Sequence, residues 1–198
     1  MRVTAAQSGV DPFGTARLRR GVLDAWGAGP ARFREDANAE EDLALGGYRD
    51  RLVVELAQNA ADAAGRAGVP GRLRLTLHPG EGAHGPAVLA VANTGAPLDA
   101  TGVESLSTLR ASAKREPAHD SVGRFGVGFA AVLAVCDEPA VLGRHGGVRW
   151  SLAEARELAR GAAVGSPGLG DELRRRDGHV PLLRLPLPAE GTAPEGYD

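Results

Sequence analysis

The clearest periodicity in the chain lies between Tyr48 and Ala67. There Val53, Leu56, Ala57, Ala60, Ala63 and Ala64 fall on one side at 3.6-residue spacing, and Arg51, Glu55, Asn59, Asp62 and Arg66 fall on the other. This predicts an amphipathic helix stopped at Gly68-Val69-Pro70. A helical pattern also runs from about Gly14 to Trp26, and the stretch ARFREDANAEEDLALGG after it reads as a loop or broken helix. Arg72 to Leu77 alternates strictly and Ala87 to Ala92 is continuously apolar; with PGEGAHGP between them they predict an antiparallel hairpin. A short helix is expected over Val103 to Ala113. The charged KREPAHDS that follows has few apolar anchors and is expected to be mobile. Phe125 to Val135 is apolar almost all round, which predicts a buried helix. Strands near Ala140 to Gly143 and Val148 to Leu152, a helix from Ala153 to Arg160, a Gly-rich loop and a strand from Val180 to Leu187 complete the order. The expected class is α+β: a two-layer sandwich of a mixed, mostly antiparallel sheet with helices on one face, in a single domain over 1–198.

Composition narrows the function. The 198 residues are 43% hydrophobic and carry Lys+Arg 23 against Asp+Glu 25, a net charge of -2, so the basic footprint of a nucleic-acid binder is missing. No apolar run reaches membrane-spanning length and the first twenty residues lack a secretory pattern, so neither nucleic acid nor membrane is expected as a partner. The single Cys136 suits a reducing, cytoplasmic setting. Lys114 is the only lysine and follows Ala113, which excludes a phosphate loop of the Gly-Lys type. His78, His84, His119, His145 and His179 show no metal spacing and are assigned to loops and surface.

Three segments carry candidate chemistry. Glu55, Asn59 and Asp62, at i, i+4 and i+7, line one helix ridge, where two carboxylates and an amide could surround a magnesium-phosphate group; the same pattern also fits a merely solvated helix face. Val91-Ala92-Asn93-Thr94-Gly95-Ala96-Pro97-Leu98 runs a buried strand into an amide and a glycine that lets backbone approach a flat ligand; an ordinary strand-ending turn fits as well. Ser121-Val122-Gly123-Arg124-Phe125-Gly126-Val127-Gly128-Phe129 exposes backbone N–H groups at the start of an apolar helix, a phosphate-binding device. A dinucleotide fold would need a strand before those glycines, and KREPAHDS stands there instead.

In this order the three segments resemble the GHKL ATPase superfamily. ELAQNAADAA looks like its E-x-x-x-N-x-x-D-A box, VANTGAPL like its D-x-G-x-G box and GRFGVGF like its glycine box, and VGRFGVGFAAVLAVCDEPAVL is most similar to the chaperone branch, that of the ninety-kilodalton heat-shock chaperones and sacsin. The resemblance spans roughly residues 48 to 150. It implies a domain that binds Mg²⁺-ATP and hydrolyses it weakly to drive closure of a lid over 103–122, within a longer chaperone-like protein whose further domains and client proteins would be its partners. The alternative is a regulatory module that holds adenine nucleotide without turnover. Carried over, Glu55 would orient the attacking water, Asn59 would bind Mg²⁺, Asp62 would line the pocket and Asn93 would receive the adenine amino group. Gly95 and Leu98 would flank the base, and Gly123, Arg124, Phe125, Gly126, Val127 and Gly128 would surround the phosphates. The chain departs from the pattern at Asn93, where the family has Asp, and at Pro97, where it has glycine. The polar threonine that this branch carries on a late strand is not placed by the sequence.

Overall fold

The computed structural model describes residues 4–5, 11–45, 51–80, 85–107, 128–191 and 193–198. The element order is β1 (Thr4–Ala5), α1 (Thr15–Ala28), α2 (Pro30–Leu45), α3 (Leu52–Ala67), β2 (Leu73–His78), β3 (Val88–Asn93), α4 (Ala100–Ser107), a 3-10 helix over Phe129–Ala134, β4 (Ala140–Gly143), β5 (Gly146–Arg149), α5 (Leu152–Ala163), α6 (Pro167–Arg175), a 3-10 turn over Leu182–Arg184 and β6 (Leu187–Glu190). The class is α+β. The described strands form two antiparallel sheets rather than one mixed sheet, a four-stranded sheet in the order β1-β6-β5-β4 and the separate hairpin β2-β3.

The hairpin pairs as the sequence pattern predicts, with Leu75 opposite Val91 and Leu77 opposite Leu89, but β3 is not the expected buried strand: Val88 and Leu89 are exposed and its remaining residues half-buried, because the described hairpin pairs only within itself. β3 then delivers Asn93 and the Thr94-Gly95 turn to α3. Helix α1 starts at the left-handed Gly14 and is capped from Asp11, which accepts the amides of Thr15 (2.9 Å) and Ala16 (2.8 Å). Partial burial pushes the Asp11 carboxyl up, but these two bonds and the Thr15 hydroxyl outweigh it and hold the group below its ordinary value.

Four expectations are corrected. The stretch after Gly29, expected as a loop or broken helix, is the continuous helix α2, whose buried stripe consists of Phe33, Asp36, Ala37 and Glu40; two acids on the core side hide the helix from a hydrophobic pattern. The Gly-rich loop contains α6, begun at Ser166-Pro167 and buried through Leu169, Glu172 and Leu173. The expected strand from Val180 is broken by Pro181 and Pro186 into a 3-10 turn and the short β6. The apolar run after Gly128 is a six-residue 3-10 helix ending at exposed Val135, not a buried α-helix. The segment KREPAHDS and residues 108–113 of the expected helix lie outside the described residues.

The core joins the helices to the four-stranded sheet. Trp26 and Phe33 meet edge to face at 5.1 Å, and Trp150 packs on Phe129 at 5.5 Å while its indole N–H donates to the Leu183 carbonyl at 3.1 Å. Beneath the aromatic pair lies a buried polar chain. Asp36 accepts the Trp26 indole N–H at 3.0 Å and pairs with Arg184 at 3.2 Å, and Arg184 donates to the Ser107 carbonyl at the end of α4 (3.1 Å). Among the described residues no helix is long and apolar enough to cross a membrane.

Candidate functional site

Helix α3 is the platform. Its apolar spacing buries Ala60, Ala63 and Ala64, and this leaves Glu55, Asn59 and Asp62 half-buried on one ridge. Gly68 in the left-handed conformation ends the helix and turns the chain into β2.

The second segment is fastened to that helix by its backbone. Gly95 has φ 142, and a Cβ on it would lie 2.5 Å from the Ala64 nitrogen. The Ala96 amide donates to the Ala63 carbonyl at 2.9 Å. Only glycine fits a position with both that dihedral and that contact. Thr94 holds the turn from the other side: its buried hydroxyl accepts the Arg72 amide at 2.9 Å and donates to the Pro70 carbonyl at 3.1 Å. Asn93 is half-buried at the end of β3, with its side-chain amide 3.4 Å from the Thr94 carbonyl. Leu98 packs against the main core.

From the third segment, Gly128 is buried against α3. A Cβ on it would lie 2.5 Å from Glu55 Oε2, so the glycine lets the carboxylate approach the main chain. Gly123, Arg124, Phe125, Gly126 and Val127, and most of the expected lid, fall outside the described residues. Three segments expected to act together are thus represented at α3 by Glu55, Gly95 and Gly128, and Asn93 stands next to Gly95.

Residues 196–198, which the motifs did not single out, also reach this place. The Gly95 amide donates to Asp198 Oδ2 at 2.8 Å, and the Asp198 amide donates to the Asn93 carbonyl at 3.0 Å. Arg144, in the two-residue turn between β4 and β5, pairs with the other Asp198 oxygen. No short-range pattern could announce these contacts, because they join positions about 50 to 100 residues apart.

The remaining candidates do not build a site. His78 ends β2 and His145 occupies an exposed turn, as expected, but His179 is half-buried, and burial lowers its proton affinity. Burial raises the Cys136 thiol, so it is not an activated thiolate. Among the described residues no three His, Cys, Asp or Glu side chains are grouped to hold a metal. A charged cleft of about 470 Å³ lined by Arg34, Glu41, Glu172, Arg175, Arg176 and His179 contains none of the motif residues, and its arginines already pair with its glutamates. The threonine expected on a late strand is absent from β6, which reads Leu187-Pro188-Ala189-Glu190.

No protein-family model, no curated protein and no solved structure matches this chain.

Proposed function

We propose that the chain is a Mg²⁺-ATP-binding domain of GHKL type with weak ATP hydrolysis. The observation that carries this reading is the meeting of Glu55 with Gly128 on the helix whose backbone receives Gly95. At both glycines the missing Cβ lets the main chain pack directly on α3, against the Ala63–Ala64 backbone and the Glu55 carboxylate, which supports the reading by drawing the three motif segments to one helix whose ridge residues offer oxygen ligands. A magnesium ion keeps most of its shell as water and phosphate oxygen and needs one or two protein oxygens, so Asn59 fits it and a cage of acids is not required. Bound there, Mg²⁺ would neutralise phosphate charge that the chain, lacking a Gly-Lys loop, does not meet with a lysine cradle.

In this reading Glu55 orients the attacking water and accepts its proton on a carboxylate oxygen. Asn59 supplies an amide oxygen to the metal, Asp62 lines the pocket and Asn93 meets the adenine edge, its oxygen accepting and its nitrogen donating. Because Glu55 acts on the water and not on the nucleotide, Glu55→Ala should abolish turnover and leave Mg²⁺-ATP binding nearly intact. Thermal melts with and without Mg²⁺-ATP together with a phosphate-release assay test this: no upward shift in Tm on adding Mg²⁺-ATP removes the nucleotide, and equal turnover in variant and parent removes Glu55 as the base.

A further inference from the structure

We propose that Gly196–Asp198 acts as a tethered acidic ligand: it occupies the hydrogen-bonding groups at the end of β3 and has to leave before adenine reaches Asn93 and Gly95. The proposal rests on the adenine-nucleotide reading above and adds a regulation of that same site.

The segment is held at several separate points. The Asp198 carboxylate takes the Gly95 amide at 2.8 Å on one oxygen and the Arg144 guanidinium on the other. Its own amide closes on the Asn93 carbonyl at 3.0 Å. Two residues earlier, Arg72 Nη2 donates to the Gly196 carbonyl at 2.6 Å, and the same guanidinium stands 5.5 Å from the centre of the Tyr197 ring. Gly196, at φ 80, and the Tyr197 amide bonded to the Pro194 carbonyl at 3.0 Å form the turn that brings the aspartate back to β3.

The Gly95 N–H and the backbone of Asn93 are therefore satisfied by the chain itself. A ligand that uses the same backbone edge must first break the charge-assisted bond to Asp198. The holding contacts are polar and partly open to water, the Arg144 side chain being 55% exposed and that of Asp198 20%. Contacts of this kind are individually weak and can be displaced.

Titrating Mg²⁺-ATP into the parent, Asp198→Ala and Tyr197→Ala, with amide hydrogen exchange followed at residues 93–98 and 196–198, tests the proposal. About three- to tenfold tighter binding is expected in Asp198→Ala, a smaller gain in Tyr197→Ala, and faster exchange at 196–198 when the parent is given Mg²⁺-ATP. Equal affinity in parent and variants, or weaker binding in Asp198→Ala, overturns the tethered-ligand proposal and leaves nucleotide binding standing. Absence of binding in the parent and both variants overturns the nucleotide reading and this inference with it.

Discussion

The Glu55 carboxylate lies against the main chain of Gly128, so close that a methyl group on the glycine would stand 2.5 Å from Oε2. Gly128 itself has φ -66 and ψ -36, a right-handed helical conformation that alanine adopts without strain. Gly128→Ala therefore reports on the contact and not on backbone freedom. We expect it to cost about 1 kcal/mol, since a carboxylate end can swing aside, and to lower ATP turnover by displacing the base. In a Glu55→Ala background the same change should be neutral within about 0.5 kcal/mol. Urea melts of the four proteins form the cycle, and additive costs would mean that the two residues do not touch.

Gly95 should behave differently, because what its Cβ would meet is backbone. With φ 142 and a helix nitrogen 2.5 Å away, Gly95→Ala has no side chain to push aside, and we expect a loss of about 3 kcal/mol or more. Gly68→Ala is the control: it also has a positive φ, 64, but nothing lies within 4 Å of its Cβ, so only the left-handed penalty of about 1 kcal/mol applies. Equal losses at the two sites would refute the close packing of the Thr94-Gly95 turn on α3.

These contacts explain what the sequence could reveal. α3 is legible because its side chains alternate between core and solvent at the helical period, the β2-β3 hairpin because two apolar, extended-period runs flank a turn-rich segment although neither strand is buried, and the order Glu55, Asn93, Gly128 follows from motifs that are local in sequence. α2 and α6 are not legible because buried acids stand at core-facing positions. Asp36 and Glu40 on α2 and Glu172 on α6 are bonded to Trp26, Arg184, Arg34, Arg175 and the backbone of residues 182 and 183. A charge whose partner is more than a hundred residues away looks like a surface charge until the fold brings the pair together. The same distance hides Asp198 beside Gly95.

The buried pair Asp36–Arg184 gives a stability prediction. Both side chains are nearly inaccessible, and Arg184 also holds α4 through the Ser107 carbonyl. Arg184→Met removes the buried partner of Asp36 and leaves it the Trp26 indole N–H and the partly exposed Arg32 at 3.2 Å, so it should destabilise by about 2–3 kcal/mol, below the full cost of an unpaired buried charge. Asp36→Asn with Arg184→Met together should cost less than the sum, since the buried charge that lost Arg184 is gone. Chemical denaturation of the three variants decides it, and a fully additive double variant would show that the two groups are not coupled.

Glu40 supplies a pH dependence whose sign can be worked out. It is buried on α2, accepts the amides of Leu182 and Leu183 and faces Arg184 and Asp36. Burial dominates and raises its carboxyl to about 7, against the lowering effect of the two amides and Arg184; Asp36 pushes in the same direction as burial. Between its ordinary 4.5 and about 7 the folded chain keeps a proton that the unfolded chain has lost, so Glu40's contribution falls as pH rises through that window and is level on either side. The fall is on the order of 3 kcal/mol. His179, whose folded proton affinity is lowered by burial, adds the opposite slope: its contribution weakens as pH drops below the ordinary 6.5. Glu40→Gln should cost about 1–2 kcal/mol at pH 4.5 by replacing one acceptor oxygen with a donor. It should also remove the falling slope, so that among the described residues the rise set by His179 remains across that window. Urea midpoints from pH 4.5 to 7.5 separate the two effects, and parallel curves for parent and variant would show that Glu40 does not titrate there.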